Sequence, residues 1–149
     1  MKTILLVLIA LSLFAKPLSA DTSAQEKAFV EKFRAALQAH DSATLESFLY
    51  IKDPNPQALE LFKSTMEKKD DRKVGIVELV DLTPYEVLHV GQSQTSPTGI
   101  KTRLPLLPTK KLRIMTFTSG DHRIFPHWRY NYVAEYQGHY VIPVPVTAP

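Results

Sequence analysis

The first half of the chain places apolar residues at the spacing of amphipathic helices. Between residues 23 and 40, apolar side chains recur three and four positions apart and charged residues fill the positions between them, which predicts one helix with a single buried stripe. Asp21, Thr22 or Ser23 is suited to cap this helix, and Ser23 and Glu26 fit a capping box. The stripe consists of Phe29, Phe33, Ala36, Leu37 and, at the helix end, His40.

Two shorter helices are predicted to follow. Asp41 is suited to cap the second helix, because a carboxylate accepts from the free amides of a first helical turn. Pro56 is suited to begin the third, because a proline there gives up only an amide that lacks a helical partner. The second helix is marked by Leu45, Phe48 and Leu49, and the third by Leu59, Phe62 and Met66.

From residue 74 onward the pattern changes to that of β-strands. Residues with β-branched and aromatic side chains cluster in short segments separated by polar turns. Gln137-Gly138 predicts a tight hairpin, so the last two strands are expected to pair antiparallel. We expect strands at 74–82, 85–90, 100–104, 112–118, 128–136 and 139–146.

Prolines limit where some of these strands can lie. Pro126 is expected to interrupt the segment before residue 128. Pro143 and Pro145 cannot donate to a ladder, which confines the final strand to a sheet edge or turns it into an extended arm. Helices followed by a meandering sheet predict an α+β fold, in which the N-terminal helices pack on one face of an antiparallel sheet of about six strands.

The first twenty residues have the features of a secretory signal peptide. Lys2 supplies the positive region, residues 4–15 form an apolar run, and Pro17 precedes a cleavage region that ends at Ala20. The run is shorter than the roughly 20 apolar residues that a membrane helix needs. We therefore expect export to the periplasm or the exterior, no stable membrane insertion, and a single domain at 21–149. The alternatives are an uncleaved anchor and a buried core helix.

Composition excludes several classes of site. The chain has no cysteine, which excludes disulfides, a thiol nucleophile and a Cys-ligated zinc site. Its five glycines form neither a phosphate-cradling loop nor a nucleophile elbow. Of the net charge of +3, Lys2 and Lys16 of the leader contribute two. The mature domain is therefore nearly neutral, and we expect no nucleic-acid partner.

Charge is divided unevenly along the chain. Residues 21–99 carry nine Lys/Arg and thirteen Asp/Glu, whereas residues 100–149 carry seven and two. One interpretation is an anion-attracting face on the C-terminal half; the other is a set of solvated basic strands that lie across from an acidic helical layer. The cations concerned are Lys101, Arg103, Lys110, Lys111, Arg113, Arg123 and Arg129.

The segment 121–130 carries the candidates for a functional site. It gathers two of the five histidines and the single tryptophan around a proline, and we expect it to be a loop between two strands, where binding residues often lie. In an enzyme, His122 would act as a base oriented by Asp121, with Tyr130 as a donor. The alternative is a loop closed by a half-buried Trp128. We predict five binding residues and no catalytic residue, metal site or cofactor: Asp121, His122, His127, Trp128 and Tyr130.

Both ends of the mature chain resemble the nuclear transport factor 2-like superfamily, the cone-shaped, cystatin-like α+β fold that includes SnoaL-like proteins. Its opening helix pair is similar to Phe29-Val30, Phe33, Arg34-Ala35-Ala36-Leu37, His40-Asp41, Leu45 and Phe48-Leu49-Tyr50, and its closing hairpin to Val133-Ala134-Glu135-Tyr136 and Gly138-His139-Tyr140-Val141-Ile142. The resemblance implies a curved sheet that wraps a helix around a pocket, used by some members for catalysis and by many for binding or dimerisation. Tyr140 stands where many members have tryptophan, and the proline-rich tail is atypical.

These observations favour an exported, non-catalytic domain that binds a small apolar or anionic ligand or a partner protein and forms a homodimer through its sheet. The alternative is a small isomerase or dehydratase that uses His122 or His127 with Tyr130. A third hypothesis is an envelope protein whose basic strands meet an anionic polymer or lipid headgroups. Converging His, Asp and Tyr side chains in one closed pocket would favour the enzyme.

Overall fold

The structure is a computed structural model and describes residues 18–67, 72–96, 98–120 and 123–149. Most of the predicted signal peptide lies outside these ranges, and no helix within them is long and apolar enough to cross a membrane. The helices described are α1 (Leu18–Ala39), α2 (Ser42–Glu46), α3 (Pro56–Glu67) and α4 (Pro84–His89). The strands are β1 (Leu49–Tyr50), β2 (Lys73–Asp81), β3 (Gln94–Thr95), β4 (Lys101–Arg103), β5 (Lys110–Gly120), β6 (Arg123–Tyr136), β7 (His139–Pro143) and β8 (Val146–Thr147).

Five of the strands form the main sheet, in the order β1-β7-β6-β5-β2. Neighbours in it are antiparallel except β1 and β7, which run parallel. A second, antiparallel sheet has the order β3-β4-β8. The predicted α+β class with a mainly antiparallel sheet is therefore confirmed. The prediction of one sheet of about six strands is wrong, because the strands are divided between two sheets.

Helix α1 buries its predicted apolar stripe, but it begins earlier than predicted. All four apolar members of the stripe are buried. The helix starts at Leu18, so Ser23 lies inside it and does not cap it. At the other end, His40 has a φ of 52°, and the amide of Asp41 donates to the carbonyl of Ala36 over 2.9 Å. This is the Schellman arrangement that ends a helix.

The inner face of the main sheet is the face that α1 covers. Leu112 and Ile114 of β5 and Val133 of β6 are completely buried there, in one cluster with the stripe of α1. The guanidinium of Arg34 also donates to the carbonyl of Val77 over 3.0 Å. This bond ties the helix to β2, the edge strand of the sheet.

Helix α2 is capped as predicted but is shorter. The carboxylate of Asp41 accepts from the amide and the hydroxyl of Thr44 at 3.1 and 2.6 Å, and these bonds hold the pKa of Asp41 below its usual value. Phe48 and Leu49 lie beyond the helix, and Leu49 opens β1. Both side chains are buried because they pack in the same hydrophobic cluster as the inner face of the sheet.

Asn55 links the start of α3 to the C-terminal segment. Its side chain accepts from the amide of Ala58 at 3.1 Å, which caps the helix that Pro56 begins. Its amide group donates to the hydroxyl of Thr147 at 3.0 Å, and its backbone amide donates to the carbonyl of Pro145 at 2.8 Å. Asn55 is buried, so these partners replace the water that its polar atoms lose.

The strand predicted at 85–90 is wrong, because residues Pro84–His89 form the helix α4. The hydroxyl of Thr83 accepts from the amide of Glu86 at 3.2 Å, and the carboxylate of Glu86 accepts from the amide of Thr83 at 2.9 Å. Pro84 occupies the first turn. A reciprocal capping box followed by proline starts a helix even where the residues after it favour strands.

Pro126 does not interrupt β6, contrary to prediction. It lies within the strand, opposite Phe117 of β5. Strand β7 pairs with β6 only over residues 134–136. The β6 edge beside Pro126 therefore has no partner strand among the described residues, and the missing amide breaks no ladder on that side.

The last predicted strand is two strands in different sheets. Gln137 and Gly138 have φ values of 49° and 77°, as in the predicted hairpin turn. Strand β7 then runs between β6 and β1, so the prediction of an edge strand is wrong for β7. It ends at Pro143, and β8 pairs with β4 in the second sheet.

A charged network joins α1 to strands β2, β5 and β7. The ammonium of Lys110 lies 3.1 Å from the carboxylate of Glu26 and 2.8 Å from that of Asp81. The hydroxyl of Tyr140 donates to Glu26 over 3.4 Å. Hydrogen bonds to Asp81 and Glu26 raise the pKa of Lys110 above its usual value. Lys110 and Glu26 are both about three-quarters buried, so the network stabilises the packing of α1.

Replacing Lys110 by methionine is expected to lower the free energy of unfolding by about 1 to 2 kcal/mol at neutral pH. Because folding raises the pKa of Lys110, its contribution is fully present below the pKa of the unfolded chain. The contribution is lost as the pH rises through the folded pKa. Urea unfolding of both proteins from pH 7 to 11 should show the difference narrowing at the alkaline end. A difference that stays constant to pH 11 would contradict this account.

Candidate functional site

The structure places three of the five predicted binding residues on a strand, not in a loop. Asp121 and His122 lie outside the described residues. His127, Trp128 and Tyr130 all lie within β6. Their orientation is therefore set by the alternation of side chains along a strand.

That alternation separates His127 from Tyr130. His127 lies opposite Thr116 of β5, and Tyr130 lies opposite Arg113. These β5 positions are an odd number of residues apart, so the two side chains project from opposite faces of the sheet. His127 and Trp128 border the same cavity, whereas Tyr130 borders a different one. The strand therefore does not present His127 and Tyr130 to a common ligand.

Cations cover the aromatic rings on the outer face of the sheet. The guanidinium of Arg113 lies 5.3 Å from the ring centre of Trp128, and the ammonium of Lys111 lies 5.1 Å from that of Tyr130. Each such contact contributes about 0.5 to 1 kcal/mol at an exposed site. The alternative for this segment, a loop closed by Trp128, is wrong, because Trp128 lies within a strand and is 45% exposed.

The same cations are paired with carboxylates. Arg113 forms an ion pair with Glu78 of β2, and Lys111 lies 2.7 Å from Glu86 of α4. The hydrogen bond from Lys111 is the main reason that the pKa of Glu86 lies below its usual value. With the Lys110 network, three of the seven basic residues in the C-terminal half face acidic partners from the N-terminal half. This arrangement matches the interpretation of basic strands across from acidic elements more closely than that of an anion-attracting face.

A cavity of about 500 Å³ opens between the C-terminal ends of α1 and α3 and the strands β2, β5 and β6. Its apolar part comes from Leu37, Met66 and Val74. Its polar part includes two arginines, two histidines and three hydroxyl side chains, and no Asp or Glu belongs to the lining among the described residues. The charged and imidazole side chains of the lining are His40, Arg72, His127 and Arg129.

Arg129 is held in place at the cavity wall. Its guanidinium donates to the carbonyl of Thr65, in the last turns of α3, over 2.7 Å. Because it lies opposite Ile114, which is completely buried, it projects from the inner face of the sheet. The bond connects α3 to β6 across the mouth of the cavity and fixes the direction of the guanidinium.

Sequence patterns missed most of this lining. Arg129 was singled out by charge and His127 by composition, but Arg72, Thr65 and Thr116 carry no motif. They come together because α3, β2 and β5 converge with β6. Of the two arginines, Arg129 belongs to the basic C-terminal half of the chain but Arg72 lies in the acidic half, so the charge distribution did not predict this pair.

No cluster of three or more His, Asp or Glu side chains that could hold a metal ion is found among the described residues. Comparison of the chain with protein-family models, with curated proteins and with solved structures finds no match. The functional inference therefore depends on the side chains of the site.

Proposed function

We propose that this chain is an exported, non-catalytic domain of the nuclear transport factor 2-like type that binds a small amphipathic anion. The ligand occupies the 500 Å³ cavity between α1, α3 and the sheet. The observation that carries the proposal is the composition of that cavity, which combines apolar side chains with arginine, histidine and hydroxyl side chains.

The chemistry of the lining favours an anionic group. Guanidinium groups offer a planar fork of donors that matches a carboxylate or a phosphate. Arg129 is already oriented by its bond to Thr65, so little side-chain entropy is lost when it binds. The apolar part of the cavity, with Leu37 and Met66, favours a ligand that also carries a hydrocarbon portion.

The placement of polar groups supports binding and not catalysis. A general base needs a group that orients it and a donor on the same side of the substrate. Within the described residues, the lining around His127 contains no carboxylate, and Tyr130 lies on the other face of the sheet. An enzyme that uses His122 stays a separate hypothesis.

The architecture also supports the family proposal. Helix α1 packs on one face of a mainly antiparallel sheet, and a cavity opens between them. A sheet curved into a cone around the helix is part of what we propose. The proposal includes neither a nucleic-acid partner nor a stably inserted membrane segment.

Calorimetric titration of the purified protein with octanoate tests the ligand class. Octanoate is expected to bind, and Arg129→Gln is expected to weaken binding about tenfold to a hundredfold, since a hydrogen bond to a charged group contributes about 1.5 to 3 kcal/mol. Octanol, which lacks the charge, should bind weakly to both proteins. His127→Gln and the exposed His139→Gln form a matched pair, of which only the first should reduce affinity.

Two results would contradict the proposal. One is the absence of heat with octanoate, decanoate and octyl phosphate at millimolar concentration. The other is an equal loss of affinity in His127→Gln and His139→Gln. Circular dichroism of each variant verifies that the fold is retained.

We also propose that the exported form begins after Ala20. N-terminal sequencing of protein recovered outside the cytosol should then start at Asp21. Leu8→Asp, which places a charge in the apolar run, should leave uncleaved precursor in the cytosol, whereas Leu8→Ala should not. Recovery of the wild-type chain from the cytosol with its first residues intact would refute export.

A homodimer through the outer face of the sheet is the third part of the proposal. Ile76, Trp128 and Tyr130 are 38%, 45% and 53% exposed, and large apolar side chains at this exposure are typical of interfaces. Sedimentation equilibrium should give twice the chain mass, reduced to one chain by Trp128→Ser but not by Leu61→Ser on α3. A single-chain mass for the wild type at all micromolar concentrations would rule the dimer out.

A further inference from the structure

A second, smaller cavity lies where β6 loses its partner strand. Its volume is about 150 Å³, and it is bordered by α3, β6, the end of β7, the residues after α4 and the second sheet. Tyr130 and Tyr132 line it from β6, and Thr102 and Arg103 line it from β4. It shares no lining residue with the 500 Å³ cavity among the described residues.

The pairing of β6 shows to which side of the strand the backbone groups of Tyr130 and Tyr132 point. In an antiparallel ladder the residues that bond to one neighbour alternate with those that bond to the other. Tyr136 and Ala134 lie opposite His139 and Val141 of β7. Val133, which precedes Ala134, instead faces β5, because its carbonyl accepts from the amide of Thr109. Tyr132 and Tyr130 therefore direct their amides and carbonyls toward the β7 side, beyond Ala134, the last residue of β6 that pairs with β7.

The pairing of β6 with β7 ends at Ala134, and Pro143, which the same register places opposite Tyr132, has no amide to donate to it. The space beyond the backbone groups of Tyr132 and Tyr130 is the 150 Å³ cavity, because both tyrosines belong to its lining. A strand edge of this kind presents backbone donors and acceptors in fixed positions. It is thus a recognition surface for a polar molecule that enters the cavity.

The side chains around this edge add a positive charge. Arg103 is the one charged residue in the described lining, which also contains the amide side chains of Gln92, Gln94 and Asn131. A guanidinium with neighbouring amide donors binds a carboxylate through paired hydrogen bonds. The ligand chemistry that fits these groups is a single carboxylate.

The volume and the remaining walls set the rest of the ligand. An apolar protein cavity of about 150 Å³ accommodates one benzene ring. Here the rest of the lining includes Phe62, Val90, Leu104 and Pro143, which present apolar surface to such a ring. We propose that this cavity is a second binding site, which takes a monocyclic aromatic carboxylic acid with its carboxylate on Arg103 and its ring between the apolar walls.

Calorimetric titration with 4-hydroxybenzoate tests this site. The wild type is expected to bind it, and Arg103→Gln is expected to weaken binding at least about tenfold. The matched control is Lys101→Gln, which removes an exposed cation from the same strand, outside the lining. This control should bind as the wild type does.

Three further arms locate the ligand and define its class. Arg129→Gln should leave 4-hydroxybenzoate binding unchanged, because that residue lines only the larger cavity. Leu104→Trp fills the smaller cavity and should abolish binding without changing any charge. The two-ring 1-naphthoate and the sugar acid glucuronate should both bind more weakly, because the first exceeds the volume and the second presents hydroxyls to apolar walls.

The proposal is overturned if 4-hydroxybenzoate does not bind at millimolar concentration, or if Lys101→Gln weakens it as much as Arg103→Gln. Loss of binding in Arg129→Gln alone would place the ligand in the larger cavity and refute the second site. Equal affinity for glucuronate would refute the aromatic class. Thermal unfolding of each variant shows whether it is folded, and Leu104→Trp provides the decision if Arg103→Gln is not.

Discussion

The packing of four aromatic rings between α1 and the sheet is the interaction on which the rest of the structure depends. Phe29 of α1 contacts Phe48 and Tyr140 edge-on, with ring centres 5.1 and 5.9 Å apart, and Phe33 contacts Phe48 at 5.2 Å. Burying one such ring contributes about 1.5 to 3 kcal/mol. Because these rings come from α1, from the turn before β1 and from β7, their contact sets the position of the helix on the sheet.

A sheet has two faces, and α1 covers only one of them. The inner face can therefore be apolar, as Leu112 and Ile114 are. The outer face carries aromatic rings that none of the described helices covers, so other side chains must shield them from water. Arg113 and Lys111 provide this shielding, because their stems and charges lie over aromatic rings and their carboxylate partners neutralise them. The charge is unevenly distributed along the chain because the basic residues of this face and their acidic partners come from different halves of the sequence.

Local signals predicted the elements, and they failed where a distant contact or a stronger local signal decided. The stripe of α1, the proline start of α3 and the turn at Gln137 follow from their own residues. The segment after Thr83 was mistaken for a strand because its β-branched and aromatic residues were given more weight than its capping box. Pro126 was mistaken for a break because the extent of pairing between β6 and β7 is not encoded near it. The candidate site suffered most, since strand alternation sends neighbours such as His127 and Tyr130 to different cavities.

The parallel pairing of β1 with β7 makes the core a late product of synthesis. Leu49 lies beside Ile142 in this pairing, and the amide of Ile142 donates to the carbonyl of Phe48 over 2.8 Å. Contacts between such remote parts of a chain form slowly, because the intervening segment must first lose its freedom. A polypeptide that is still growing lacks the strand that completes its hydrophobic centre. The core can therefore close only after the residues of β7, His139–Pro143, have been synthesised.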